Sequence, residues 1–138
     1  MLSPSYSQAS PKFLEWLERM DQAGLVFLSV VSIHEIEKGI ALLEYKGANA
    51  KASDLRLWLM RLVSTYDDKI LGIDAEAAAL GGRLEARAAA AGHAPGMADA
   101  SIAGIAEAHH LTIVTANLKH FLPFGIHALS PVEVEALE

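Results

Sequence analysis

The chain contains no cysteine, which excludes disulfides, thiolate metal sites and cysteine nucleophiles. No apolar run approaches the length needed to span a bilayer. The opening residues Met1-Leu2-Ser3-Pro4-Ser5 carry neither a positive n-region nor an apolar h-region, so they do not read as a signal peptide. A cytoplasmic protein with no membrane partner is the default expectation. Positive charge is scarce: 11 Lys and Arg stand against 17 Asp and Glu, for a net charge of -6. That argues against a surface coated in basic residues for nucleic-acid binding. It leaves room for an enzyme that meets phosphates through a few local cations, and a carboxylate metal site would itself tilt the balance acidic. There is no glycine-rich phosphate loop. The six histidines never take a zinc spacing such as H-E-x-x-H, and the neighbours His109 and His110 would project about 100° apart on a helix.

What is present is an apolar, globular composition, 52% hydrophobic with mean hydropathy +0.27. A length of 138 residues fits one domain, 1–138, and can bury well over half of the unfolded surface. Ser10-Pro11 is a helix start, with Ser as N-cap and Pro at the first helical position; the helix runs to about Met20 and Gly24 ends it. Leu25–Leu28 is a short continuous apolar run, expected to be a buried strand. A helix follows from near Ser29 or Ser32, with Ile33, Ile36, Ile40 and Leu43 on one face, and Lys46-Gly47 closes it. A third helix, about Ala50 to Tyr66, places Leu55, Trp58, Leu59, Leu62 and Tyr66 together. Lys69–Ile73 reads as a strand, and Asp74 caps an Ala-rich helix closed by Gly92. Within it, Gly81-Gly82 marks close helix packing. After a loop at His93–Gly96 come a helix from Met97 to His109, a strand Leu111–Thr115, a turn at Asn117–Phe121 and a last strand Ile126–Leu129. Strands separated by helices indicate βαβ units and a parallel sheet.

In such sheets ligands sit at the carboxyl ends of strands, and three polar features fall there. Asp99 lies in the first turn of its helix and shares a side with Ile102, Ala106 and His109, so its carboxylate sits on the apolar face. A buried carboxylate needs a partner or a metal; bonding to nearby backbone N–H groups is the structural alternative. Glu35 closes Ser32-Ile33-His34-Glu35, the pattern of a capping box. It also stands one helical turn beyond the strand Leu25–Leu28, with Gly39 clearing space beside it. Glu37 lies on the other flank, and the helical wheel does not choose between them. Thr115-Ala116-Asn117 follows directly on a strand, where such residues can hold a water or a phosphate oxygen, although Asn is also an ordinary turn residue. Lys119 and His120 come next and could meet phosphate or lie in a solvated turn.

Leu28-Ser29-Val30-Val31-Ser32-Ile33-His34-Glu35-Ile36-Glu37-Lys38-Gly39-Ile40 resembles the second acidic motif of PIN-domain nucleases. Gly96-Met97-Ala98-Asp99-Ala100-Ser101-Ile102-Ala103 resembles their third motif, and Leu111 to Phe121 their fourth. Order and spacing also match, and the likeness, to the VapC and FitB type of toxin in toxin–antitoxin systems, runs from Pro11 to about Pro131. It implies an α/β fold, a PIN-like three-layer sandwich with a short parallel sheet flanked by helices. It implies Glu35 and Asp99 as Mg²⁺ or Mn²⁺ ligands, Asn117 as a polar member of the catalytic set, and Thr115, Lys119 and His120 as substrate contacts. Hard divalent cations take oxygen ligands and activate water for phosphodiester hydrolysis. The implied substrate is RNA, the implied partner a small antitoxin, and the implied assembly a homodimer.

Two departures stand out. The fourth motif often has Asp where this chain has His120. The family also opens with a strand ending in an L-D-T-N-like segment, whereas no Asp or Glu precedes Glu15 here; about twenty residues are expected to be missing, and the first central strand with them. Leu25–Leu28 and Leu111–Val114 would then each show an unpaired edge. The expected repairs are pairing of these two strands with each other, insertion of part of residues 2–9 (against which Pro4 argues), or pairing across a dimer. The competing readings are a catalytically degenerate PIN module that keeps its dimer and antitoxin surfaces, and an unrelated α/β domain with structural Glu35 and Asp99.

Overall fold

The computed structural model describes residues 10–137. Six helices and four short strands alternate along them: α1 (Pro11–Gln22), β1 (Leu28–Ser29), α2 (Val30–Tyr45), α3 (Asn49–Tyr66), β2 (Ile70–Leu71), α4 (Ala75–Ala90), α5 (Met97–Ala108), β3 (Ile113–Val114), β4 (Ala128–Leu129) and α6 (Pro131–Ala136). The strands form two parallel pairs, β1 with β2 and β3 with β4. The fold is therefore α/β with short parallel sheets, predominantly helical.

The strands are shorter than the apolar runs suggested. Gly24 takes φ +73°, and the Leu25 N–H then donates to the Met20 carbonyl at 2.9 Å. That closure of α1 ties Leu25 to the helix and leaves it 59% exposed, so only Leu28 and Ser29 enter the ladder. Among the described residues β1 and β3 do not pair with each other, so the first of the expected repairs does not occur. The insertion of residues 2–9 lies outside the described residues.

Two helical pairs carry most of the packing. In α4 and α5 the backbones approach so closely that a Cβ on Gly104 would lie 2.3 Å from the Ala77 carbonyl oxygen, and one on Gly81 2.9 Å from that of Ala100. Gly81 thus marks close packing as its position suggested, whereas Gly82 faces open space. Around this seam Ala77, Leu84, Ala88, Ile102 and Ile105 build the largest core cluster, joined by Ile113, Phe121 and Phe124 from the chain beyond. In the second pair, α2 and α3, Ile40, Ala52 and Leu59 are buried and Ile33, Ile36, Leu43, Leu55 and Leu62 pack on them. Trp58 leaves that face and is 45% exposed.

A third cluster holds Phe13 of α1, Val114 of β3 and Val134 of α6, and the Ser10 hydroxyl donates to the Glu135 carboxylate between the two helices. Sequence reading did not anticipate α6. Its start carries the signature that identified α1, a Ser followed by Pro: Ser130 accepts from the Glu133 N–H at 3.2 Å and Glu133 accepts from the Ser130 N–H at 3.4 Å, a full capping box.

Candidate active site

The position of Glu35 depends on where α2 begins. The N-cap is Ser29, whose hydroxyl accepts from the Val31 N–H at 3.0 Å, and not Ser32. The Ser32–Glu35 capping box is therefore absent, and the structural explanation for Glu35 goes with it. Ser32 lies inside the helix, 4% exposed, and its Oγ has no hydrogen-bond partner among the described residues. A buried, unsatisfied hydroxyl costs on the order of 1–3 kcal/mol. It stands one turn before Glu35, on the same side of the helix. The structure also separates the two acidic flanks of α2. Glu37 is bound to the Arg56 guanidinium, which also holds Glu44. Glu35 instead lies within electrostatic reach of Asp99.

Asp99 occupies the first turn of α5, whose N-cap is Gly96 and carries no side-chain cap. Its side chain retains 29% exposure. It is half-buried, as its place on the apolar side of the helix implied. Partial burial raises its pKa above the ordinary carboxylate value, and His120 opposes that shift. The pKa of Glu35 is raised by partial burial first and by the negative charge of Asp99 second, while His34 and Lys38 pull it down. A carboxylate whose ionisation is made costlier by a neighbouring carboxylate is one that a cation would relieve.

The third segment builds its turn from Thr115. Its N–H donates to the Leu129 carbonyl at 2.9 Å, and its Oγ1 accepts from the Asn117 N–H at 3.0 Å. Thr115 has no exposed surface: its hydroxyl shapes the turn, and Asn117 beyond it is exposed. A 3₁₀ turn over Leu118–His120 follows. It is anchored on its far side by Phe121 and Phe124, both buried with ring centroids 6.2 Å apart. Arg87 of α4 clamps the same loop by donating to the Phe124 carbonyl.

This places His120 Nδ1 3.7 Å from Asp99 Oδ2. A cleft of about 340 Å³ opens there, lined by Asp99, Lys119, His120, His93 and the Pro95-Gly96 turn. The structure thus joins Asp99 with Lys119 and His120 in one cleft and brings Glu35 to Asp99 by charge. Asn117 and Glu35 do not line the cleft. His93 does, and sequence reading had taken it only for part of a loop; its place between the closing Gly92 and Pro95 was the available signal. Among the described residues no group of three or more His, Asp or Glu side chains is close enough to hold a metal ion. The donors fit a divalent cation as pairs: two mutually repelling carboxylates, an imidazole beside one of them, and an orphaned hydroxyl beside the other.

The PIN domain family profile matches residues 7–121. The chain belongs to the PIN domain family. At family level it is therefore a nuclease-type domain of the group that includes toxin–antitoxin proteins. It is 28% identical over 131 residues to the plasmid stability protein StbB of Pseudomonas syringae pv. tomato, covering 94% of this chain and 91% of that protein. Among solved structures, FitAB bound to an IR36 DNA fragment matches with a TM-score of 0.74 at 23% identity, covering 94% of this chain and 93% of that one. FitAcB from Neisseria gonorrhoeae matches at 0.73 and 23% identity, with 95% and 96% covered. DNA-bound VapBC from Salmonella typhimurium matches at 0.70 and 24% identity, with 88% and 86% covered. No helix among the described residues is long and apolar enough to cross a membrane.

Proposed function

We propose that this PIN domain is a metal-dependent ribonuclease toxin, held in check by a small antitoxin. The observation that carries the reading is the cleft that brings Asp99 together with Lys119 and His120, with Glu35 within electrostatic reach of Asp99. Glu35 and Asp99 are the metal ligands in this reading, for Mg²⁺ or Mn²⁺. A divalent cation held there would supply Lewis acidity at a phosphodiester and relieve the repulsion of the two carboxylates. Asn117, exposed two residues before Lys119, is the polar member of the catalytic set in this reading, and Thr115 fixes the turn at its backbone. Lys119 meets a substrate phosphate through its ammonium, which suits a protein whose overall charge is negative.

Solved structures similar to this chain include FitAB, FitAcB and VapBC, which supports an antitoxin as partner here. A homodimer in the cytoplasm completes the proposal. Cleavage of RNA by the full chain in Mg²⁺ or Mn²⁺ is the test. Asp99→Asn is expected to lower the rate at least about a hundredfold with the circular dichroism spectrum unchanged; equal activity in this variant would sink the assignment.

A second reading has an observation of its own. With no group of three metal-binding side chains among the described residues, the chain would be a degenerate module that keeps the dimer and antitoxin surfaces. Calorimetry with Mn²⁺ separates the two, because a degenerate site gives no binding heat.

A further inference from the structure

His120 stands against Asp99, and its distance from that carboxylate is informative. At 3.7 Å the pair is too far apart for a hydrogen bond, which for nitrogen and oxygen lies at roughly 2.7–3.2 Å. Two donors each about 2.1 Å from one shared ion stand roughly 3.0 Å apart at right angles and roughly 3.4 Å apart in a tetrahedron. The observed gap is a few tenths of an ångström wider, well within the reach of a histidine side chain that is 50% exposed. The backbone beneath it is fixed. Phe121 and Phe124 are buried on one side, the Thr115 turn lies on the other, and Arg87 holds the Phe124 carbonyl. Support of this kind preorganises a ligand. Lys119, the neighbouring residue on the same cleft, already supplies a cation for phosphate, so His120 is not needed for that task.

We propose that Asp99 and His120 hold one divalent cation between carboxylate oxygen and imidazole Nδ1, so that the site prefers Mn²⁺ to Mg²⁺. Mg²⁺ is served by oxygen donors and rarely by imidazole, whereas first-row transition ions accept nitrogen readily. Neutral imidazole, with its proton on Nε2, is the form that binds. The inference rests on the metal-dependent reading above and changes it in one respect: His120 moves from the substrate to the ion.

The test uses the full, metal-free chain. Calorimetric titration with Mn²⁺ and separately with Mg²⁺ gives the two affinities, and pulsed electron paramagnetic resonance on the Mn²⁺ complex reports any directly bound nitrogen. The wild type is expected to bind Mn²⁺ more tightly and to show a nitrogen coupling. His120→Ala should lose the coupling and weaken Mn²⁺ binding at least about tenfold. His120→Asp should keep Mn²⁺, lose the coupling and narrow the gap between the ions. His93→Ala, which removes the other imidazole of the cleft, should keep the nitrogen coupling. Mn²⁺ bound through oxygen alone in the wild type, or a coupling that survives in His120→Ala, overturns this inference while leaving the nuclease reading intact. A folded wild type that binds neither ion overturns both.

Discussion

Replacing Gly104 by alanine tests whether the contact between α4 and α5 sets the stability of the domain. The added Cβ would lie 2.3 Å from the Ala77 carbonyl oxygen and 2.7 and 2.8 Å from the Gly81 nitrogen and Cα. All three are backbone atoms, so no side chain can rotate out of the way and the helices themselves must separate. Overpacking of this kind costs on the order of 3 kcal/mol. Exchanging Gly for Ala inside a helix returns about 1 kcal/mol of propensity. The expected net loss is about 2 kcal/mol. With roughly 0.3 kcal/mol/K of unfolding entropy for a chain of this length, that is a fall in Tm of about 7 °C. Gly82→Ala is the matched control. It sits in α4, where a Cβ would meet nothing within 4 Å, so only the propensity gain applies and Tm should rise by about 3 °C. Thermal and urea unfolding of the two variants give the answer. A Gly104→Ala protein as stable as the wild type, or a Gly82→Ala protein that loses as much as Gly104→Ala, would refute the close-contact argument.

The raised pKa values of Glu35 and Asp99 predict a pH dependence in the metal-free protein. Each folded-state pKa lies above the unfolded one, so the native state binds the extra proton. Stability from these groups is then fully present below the ordinary carboxylate pKa and is lost as pH rises through the raised values. Urea unfolding over that window should show the decline, and Asp99→Asn should flatten it. Tyr66 is pushed up to about 12 by burial, and then by its hydrogen bond and charge interaction with Asp21; Asp21→Ala should bring its ultraviolet titration to lower pH. Ser130→Ala removes the capping box of α6 and should cost about 1 kcal/mol in urea unfolding, because Val134 on that helix packs in the cluster with Phe13 and Val114.

Much of this arrangement could be read from the residues. Ser10-Pro11, Asp74, Gly47 and Gly92 mark helix ends through local chemistry, and the structure places helix boundaries beside each of them. Apolar stripes identified the helices because a helix shows its period within one segment. Strand length was less legible, since pairing depends on a partner far along the chain. Leu25 is as apolar as Leu28, yet a hydrogen bond back to Met20 keeps it out of the ladder. The site divided in the same way. The placement of Asp99 follows from its position within α5, whereas the choice between Glu35 and Glu37 rested on Arg56, on another helix. Ser32 misled because S-x-x-E fits a cap, but Ser29, three residues earlier, had already taken that role.

The glycine seam between α4 and α5 also bears on the order of assembly. These helices are joined by the short turn 91–96, so their contacts are local and close at little entropic cost. The β1–β2 pair must wait for closure over the whole of α2 and α3. Asp99 therefore belongs to a part of the chain that can form on its own neighbours, while Glu35 belongs to one that needs distant pairing. The two carboxylates meet only when both parts have docked. The electrostatic penalty that Asp99 places on Glu35 is then a property of the finished domain, absent from any partly formed state that has built only one of them.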